Sequence, residues 1–434
     1  MTSVLIEGAT VVVDATTVSN APLYVADGCI GAESPGRPDE VVDASDCVVT
    51  AGLINAHHHL LQSAFRTLPG TRFAVMSDWL RQMSAAYGCL RVDPELAAAA
   101  ARVGLAESLL CGVTTVADHH LTWPAGIDPV ELAGATIDSA ASSGARLVFV
   151  RGTARDDPVT AAQSIAGIHD TYLAGAVDGV SDDGRLQLAV GPSGVHADGP
   201  ETFTALREVA TALGLRRRTQ ANEQVDVAIA AERYGRRPLE LLDDWGWLEP
   251  DVTIAHLCEV TAGEIELLAA RRVTATHAPG CDIPMGWGIA PVAALLRSGV
   301  PVGMGTSGGG SNDAGHLLAD ARLAMQVSGL TGDPVTGRTL LTMCTEGSAQ
   351  GLGRSDIGHL RPGAAADLCI WDCGDVFDAG VADPVEGLLW AAPGRRPRDV
   401  MVAGRWVVRD GRLLTDDSRA AARSLTELIA ARSD

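Results

Sequence analysis

The chain contains no lysine, so all 33 of its basic residues are arginine. This absence excludes a Schiff-base lysine, a pyridoxal phosphate anchor and the lysine of a phosphate-binding loop, because each needs a deprotonatable amine or a compact ammonium group. It also excludes a carboxylated lysine that bridges two metal ions. A metal centre in this protein would therefore hold a single ion.

Other absences narrow the location and the partners. The nine cysteines include no CxxC pair, which is typical of reduced thiols in the cytoplasm. No apolar run reaches the roughly 18 residues of a membrane helix, and the N-terminus lacks the features of a secretory signal. A formal net charge of −21 disfavours binding to nucleic acid. We expect a cytoplasmic homodimer that acts on a small molecule, without a membrane or nucleic-acid partner.

Short β-type runs occur at both ends of the chain, and 434 residues exceed what one hydrophobic core usually holds. Two strand-rich ends that flank a long middle predict a small β-sandwich built from residues 1–50 and 363–434, the latter with a C-terminal helix. The predicted strands cover residues 3–6, 10–13, 21–26, 48–50, 366–371, 399–403 and 405–409.

The middle, residues 51–362, alternates apolar runs with alanine-rich helical stretches. This alternation is typical of parallel βα units, and eight of them predict a (β/α)₈ TIM barrel. In such barrels the chemistry lies at the C-terminal ends of the strands. The first strand is the run before His57, and the other seven cover residues 113–117, 146–150, 186–190, 218–220, 253–255, 273–276 and 302–304.

The first predicted barrel strand ends in three histidines. Strand side chains alternate between faces, so His57 and His59 project together into the barrel mouth while His58 points away. Two imidazoles on one face are the minimal chelate for an ion such as zinc. A bare His-x-His is a weak signal, but its place at a barrel strand end indicates an active site.

Further polar residues follow other strands, among them His119, His120, His256 and Glu223. A single histidine at a strand end more often has a structural role, but several at one face of a barrel favour a shared site. A glycine-rich run over residues 305–313 follows the last strand. Without a lysine, this run does not indicate a phosphate site.

Seven segments along the chain form a recognisable set: GLINAHHHL, TTVADHHLTWP, TIAHL, PMGWGIAPV, GTSGGGSND, GHLRPGAAADLCIWD and VMVAGRWVVRDGRLL. They resemble the amidohydrolase superfamily, and within it the triazine hydrolases and the 8-oxoguanine deaminases. The resemblance covers essentially the whole chain. In that family one zinc ion is held by a His-x-His pair, a fifth-strand histidine and an eighth-strand aspartate. A sixth-strand histidine positions water, and a glutamate three residues past the fifth-strand histidine carries protons.

The resemblance implies a role for four residues. His57 and His59 would bind the metal, and His256 would lie beside the water as a possible third ligand. Glu223 would be the general acid and base. Three imidazoles and a water form a known catalytic zinc geometry, so we expect one weakly held zinc ion.

The chain departs from the family at two ligand positions. Gln220 stands where the fifth-strand histidine is expected, since Glu223 lies three residues further on. Ser307, beside Thr306, stands where the eighth-strand aspartate is expected, and the triazine hydrolases also have a hydroxyl residue there. An amide and a hydroxyl are poorer zinc ligands than an imidazole and a carboxylate. We assign Ser307 to the catalytic set nevertheless.

The expected substrate contacts are polar and aromatic residues near the barrel mouth. A planar ring would suit tryptophan side chains, although each tryptophan alone would more often pack in the core. The residues assigned to this role are Trp79, Trp123, Trp287, His120, Gln220 and Asn312.

These assignments predict a hydrolase that removes an amino, alkylamino or halide group from a purine-, pteridine- or triazine-like ring by water attack. One alternative is a metal-free enzyme of the same fold that relies on acid–base chemistry by Glu223 and His256. A second alternative is a relative that binds a heterocycle without turnover. The presence of Glu223 and of both His-x-His imidazoles weighs against this second alternative.

Overall fold

A computed structural model describes residues 3–14, 17–33 and 36–433, so the other residues of the two predicted domains lie outside it. The chain begins with short strands, as the alternating apolar pattern of its first 50 residues indicates. These strands are β1 (Val4–Glu7), β2 (Val11–Asp14), β3 (Thr17–Ser19), β4 (Leu23–Ala26), β5 (Cys29–Gly31), β6 (Glu40–Asp43) and β7 (Cys47–Ala51).

Eight parallel βα units follow and close into a barrel, which confirms the predicted (β/α)₈ fold. The eighth strand has two pieces: β15 pairs with the seventh strand β14, and β16 pairs with the first strand β8. The barrel strands are β8 (Leu53–His59), β9 (Val113–His120), β10 (Arg146–Thr153), β11 (Leu186–Pro192), β12 (Arg216–Ala221), β13 (Val252–His256), β14 (Thr274–His277), β15 (Val302–Met304) and β16 (Ser307–Gly308).

Part of the glycine-rich run after β15 forms the short strand β16. Gly305 explains why the chain can close the barrel here. A Cβ atom at this position would lie 2.7 Å from the Cβ of His57, so only glycine lets the eighth strand approach the first.

Helices alternate with these strands, and several begin with the same local signal. An aspartate caps the first turn and a proline follows it in α2, α3, α4 and α14. The helices are α1 (Met76–Leu90), α2 (Pro94–Leu110), α3 (Pro129–Ser143), α4 (Pro158–Tyr172), α5 (Pro200–Leu213), α6 (Gln224–Tyr234), α7 (Pro238–Asp244), α8 (Ala262–Arg271), α9 (Pro279–Met285), α10 (Val292–Arg297), α11 (Leu317–Ser328), α12 (Gly337–Thr342), α13 (Ser348–Leu352), α14 (Pro384–Trp390) and α15 (Ser418–Ser433), with a 3₁₀ helix at Leu60–Ala64 and a π-helix at Met343–Gly347.

The two chain ends combine into a second, smaller β-domain, as predicted. Strand β7 pairs with β17, which joins both ends in one seven-stranded sheet ordered β20-β19-β18-β17-β7-β2-β3. A four-stranded sheet, ordered β5-β4-β1-β6, packs on one face of it around a shared apolar core. The C-terminal strands are β17 (Leu368–Asp372), β18 (Asp399–Val402), β19 (Arg405–Arg409) and β20 (Arg412–Leu413).

Strand β7 shows how the small domain attaches to the barrel. Its side chains are buried on both faces: Val49 belongs to the core between the two sheets, and Val48 belongs to the main core of the barrel. The seven-stranded sheet therefore contributes side chains to two hydrophobic cores, because successive side chains of a strand point to opposite faces. The exact residue limits of the two domains stay a prediction.

Two further findings bear on the environment of the protein. All nine cysteines are free thiols. None of the helices in the described ranges combines the length and the apolar character that a membrane crossing requires.

Candidate active site

Strand β8 brings two imidazoles to the inside of the barrel. The ring centroids of His57 and His59 lie 4.9 Å apart. His58 turns the other way, where its Nδ1 contacts the Ser307 carbonyl and lies 3.0 Å from Oγ1 of Thr306. This geometry agrees with the alternation expected from the sequence.

Both inward imidazoles keep a nitrogen free for a ligand. Nε2 of His57 is buried and has no hydrogen-bond partner among the residues that the structure describes. Nδ1 of His59 donates to the carbonyl of His119 at 2.7 Å, so its Nε2 keeps the lone pair. Imidazoles that bind metals are commonly held in this way, with the second nitrogen donating to a backbone carbonyl.

His119, at the end of β9, joins this group. Its ring lies 5.7 Å from that of His57, its Nε2 lies 2.7 Å from the Gly191 carbonyl, and its Nδ1 is buried without a partner. A Cβ atom at Gly152 or at Gly191 would come within 2.7 Å or 2.9 Å of the His119 ring. The sequence run TTVADHH pointed to this histidine, but its contact with His57 depends on the barrel.

Strands β12 and β13 provide the acid–base groups. Nε2 of His256 lies 3.1 Å from Oε1 of Gln220, whose own amide nitrogen donates to the Ser193 carbonyl at 3.0 Å. The other ring nitrogen of His256 lies 2.8 Å from a carboxylate oxygen of Asp282. The nearest carboxylate oxygen of Glu223 lies 3.9 Å from Nε2 of His256. The predicted pair Glu223 and His256 is therefore adjacent in space.

Asn222 turns the chain so that Glu223 follows the strand end. Its φ of 55° lies in the left-handed region, which asparagine tolerates better than most residues. The backbone amide of Asn222 donates to Asp226 at 3.1 Å, and its side-chain amide donates to Glu264 at 3.0 Å. These two carboxylates therefore position the loop that carries Glu223.

Burial and neighbouring charges set the proton states. Burial lowers the pKa of His57 well below its usual value and that of His59 to about 4, so both are neutral at pH 7. Burial also raises the pKa of Glu223, which favours its protonated form. Burial alone would lower the pKa of His256, but the Asp282 carboxylate, 2.8 Å from one ring nitrogen, raises it to about 9. The site thus combines neutral imidazoles with one cationic imidazole.

A cavity of about 820 Å³ opens above these groups. Of the predicted substrate contacts, three tryptophans and Gln220 line it. His120 instead bonds the Thr122 carbonyl and packs on Trp123, and Asn312 bonds the Thr306 carbonyl and Asp320. The cavity lining also includes His196, Arg155 and Cys281, which no sequence motif indicates.

Ser307 is the eighth-strand residue that reaches the cavity. Thr306 is held away from it by Asn55, whose amide donates to the threonine hydroxyl at 2.8 Å. The backbone of Ser307 has a φ of 56°, an uncommon conformation at the point where β16 begins. The structure thus places a hydroxyl and no carboxylate at this strand end.

Comparisons with known proteins identify the family. Residues 48–407 match the model of the amidohydrolase family, so the chain belongs to that family and is a hydrolase. It is 33% identical over 409 residues to an 8-oxoguanine deaminase of Pseudomonas aeruginosa, covering 90% of each chain. It is 30% identical to an isoxanthopterin deaminase of an unknown prokaryote, covering 88% of this chain and 85% of the relative.

A solved structure matches along almost the full length. The atrazine chlorohydrolase TrzN of Arthrobacter aurescens TC1, crystallised with zinc, superposes with a TM-score of 0.91 at 31% identity. The match covers 98% of this chain and all of the other. The predicted resemblance to triazine hydrolases and 8-oxoguanine deaminases is therefore confirmed.

The residues at the strand ends fit a zinc ion in part. His57 and His59 are neutral, buried and keep nitrogens without partners, which suits a metal. The amide oxygen of Gln220 is engaged by His256, and both ring nitrogens of His256 have hydrogen-bond partners. The imidazoles of His57 and His59 are thus the side chains of this group that are available to bind a metal ion.

Proposed function

We propose that this hydrolase removes an amino, alkylamino or halide group from a nitrogen heterocycle of the purine, pteridine or triazine kind. The observation that carries the proposal is the buried Glu223 beside His256, at the floor of a cavity with tryptophans in its walls. The deaminase and chlorohydrolase relatives support the class of substrate, since 8-oxoguanine, isoxanthopterin and atrazine are all flat, nitrogen-rich rings.

Glu223 acts as the proton carrier. It delivers a proton to the ring nitrogen next to the attacked carbon, and burial, which raises the pKa of this carboxyl group, favours the protonated form that does so. Protonation makes that carbon more electrophilic and lets water add to it. The carboxylate then takes a proton from the added water and passes it to the leaving group. His256 stays protonated and stabilises negative charge that develops beside it.

The cavity walls suit a planar substrate. Trp79 and Trp287 contact each other edge to face with ring centroids 5.3 Å apart, and both line the cavity. Trp123 lines it too and is held by the Arg151 guanidinium, 4.3 Å from the ring centroid. Rigid indole walls of this kind orient a flat ring at low entropic cost.

Zinc is present in the solved relative, and in this chain one such ion would be held by His57 and His59. Lewis-acid activation of water is the chemistry that such an ion supplies. Ser307 and Gln220 would then bond the water or the substrate, since neither is a strong metal donor.

A screen of aminated and chlorinated heterocycles tests the proposal. Release of ammonia, alkylamine or chloride from at least one purine-, pteridine- or triazine-like ring is the expected result. Linear amides, esters and lactams are the matched comparison compounds. Turnover confined to those, with no aromatic ring attacked, would contradict the proposal.

A further inference from the structure

A second cavity, of about 260 Å³, lies between the seventh barrel strand and the helices that pack outside it. It shares no lining residue with the cavity above the acid–base pair. His277, the last residue of β14, lines it together with residues of α9, α10 and α11. Its walls are mainly aliphatic and include Ile283, Val292, Ala293, Ala324, Val327 and Leu340.

Strand alternation places His277 on the face of β14 that packs against the helices. Ala275, two positions earlier on the same face, belongs to the main core of the barrel. His277 is 3% exposed, and burial lowers the pKa of its imidazole to about 4, so the ring is neutral at pH 7. Its Nδ1 is buried and has no hydrogen-bond partner in the ranges that the structure describes.

The other polar side chains of the lining are engaged by the protein. The hydroxyl of Ser328 donates to a carbonyl of its own helix at 2.7 Å, and that of Thr331 donates to the Ser328 carbonyl at 2.9 Å. Asp333 pairs with the Arg297 guanidinium. A neutral imidazole has an N–H on one nitrogen and a lone pair on the other, so His277 leaves one such group unused in an apolar layer. An unused buried group of this kind is costly and indicates that a ligand pairs with it.

The size and the chemistry of the cavity restrict its occupant. An apolar cavity of about 150 Å³ can hold one benzene molecule, so this one has room for a single ring with a substituent. Pockets for drug-sized molecules have about 300–1,000 Å³, which excludes larger ligands. A buried water needs about two to four polar partners, but the lining side chains offer it only His277. A charged ligand would lose its hydration without gaining an opposite charge, since Asp333 is already paired.

A ligand can reach the cavity from solvent, because two of its lining residues, Ile289 and Thr331, are exposed. Helix α9 separates the cavity from the active site. Ile283 lines the second cavity, whereas Cys281 lines the main one, and Asp282 lies 2.8 Å from Nδ1 of His256. A ligand that packs on Ile283 would therefore contact the helix whose carboxylate faces the acid–base pair.

We propose that this cavity is a second ligand site, for a small, neutral and mostly apolar molecule that carries one hydroxyl or N–H group. The aliphatic walls bury the apolar part of the molecule, and its polar group pairs with Nδ1 of His277. The site is separate from the proposed hydrolysis and does not depend on it.

Phenol and toluene are the probes, because they have nearly the same shape and differ in the hydroxyl group. Each compound is titrated into the full-length protein by isothermal titration calorimetry. We expect one molecule of phenol to bind per chain. His277→Leu should lower the ratio of phenol affinity to toluene affinity about fivefold, which corresponds to the loss of one hydrogen bond.

A second variant fills the cavity instead of changing its polar group. Ala293→Leu adds three carbon atoms from the partly buried helix α10 and should abolish binding of both compounds. Ala270→Leu is the matched control, because this alanine is exposed on α8 and does not line the cavity; it should leave binding unchanged. Circular dichroism and thermal unfolding verify the fold of each variant.

Three results would overturn the proposal. Absence of phenol binding to the native protein would leave the cavity to solvent. Phenol binding that persists in Ala293→Leu would place the molecule elsewhere, in the main cavity. An unchanged affinity ratio in His277→Leu would show that the imidazole takes no part. If His277→Leu does not fold, the comparison of Ala293→Leu with Ala270→Leu decides the question. Heterocycle turnover is measured separately, so its absence would refute only the proposed function.

Discussion

Replacement of Glu223 by glutamine removes the proposed proton carrier and little else. The glutamine side chain has nearly the same shape, and Glu223 is buried next to His256 without a salt bridge shorter than 3.9 Å. General acid–base catalysis contributes about 10²–10⁴-fold to rate. At about 1.36 kcal/mol per factor of ten, the transition state should lose about 3–5 kcal/mol of stabilisation.

Stability should respond differently from rate. A buried carboxyl group whose pKa is raised by burial gains nothing from its charge, so a neutral amide costs the fold little. We expect the free energy of unfolding to change by no more than about 1 kcal/mol. The assays are kcat on the best substrate of the heterocycle screen, and chemical unfolding followed by circular dichroism.

Glu232→Gln is the matched control, because this glutamate is exposed on α6, the helix that begins directly after Glu223. The control should keep both rate and stability. If Glu223→Gln retained more than about a third of the native kcat, far above the expected 10²–10⁴-fold loss, Glu223 would not be the proton carrier. A large loss of stability in Glu223→Gln would show that its role is structural.

Three further changes test the positions around this residue. Gly191→Ala should lower the free energy of unfolding by about 1–3 kcal/mol and reduce kcat, because the new Cβ would lie 2.9 Å from the His119 ring. Thermal unfolding measures the loss of stability, and a steady-state assay measures kcat. Glu264→Gln should lower the free energy of unfolding by about 1–3 kcal/mol at pH 7. Arg237 holds the pKa of that carboxyl below 4.5 despite burial, so the deficit should shrink as the pH falls below 4.5 in unfolding titrations. Gln220→His combined with Ser307→Asp should raise the zinc content found by elemental analysis after dialysis, since both changes restore stronger donors.

The first two predictions each have a matched control variant, and the third has an outcome that would contradict it. Gly394→Ala adds a Cβ with no atom within 4 Å and should leave stability unchanged. Glu266→Gln changes an exposed glutamate on the same helix as Glu264 and should show no pH-dependent deficit. An unchanged zinc content in the Gln220→His/Ser307→Asp variant would contradict the assignment of His57 and His59 as zinc ligands.

The sequence by itself determined the barrel and the faces of its strands. Alternation of strand-like and helical runs predicts parallel βα units, and the period of two places His57 and His59 on one face. Both follow from local geometry that a linear pattern carries. Strands β3, β5 and β6 were missed because they are short and mix polar residues or glycine into the apolar pattern.

Only the tertiary structure decided which side chains meet. His120 follows a barrel strand as His119 does, yet alternation directs it to Trp123 and Phe149 in the wall, away from the cavity. Cys281 and Asp282 carry no motif that sequence reading could use, and they lie more than 20 positions beyond His256. Cys281 and Asp282 lie close to His256 because neighbouring barrel strands end at the same rim of the barrel. Residues that are distant in the chain therefore share one buried space, where charged and polar atoms pair with one another.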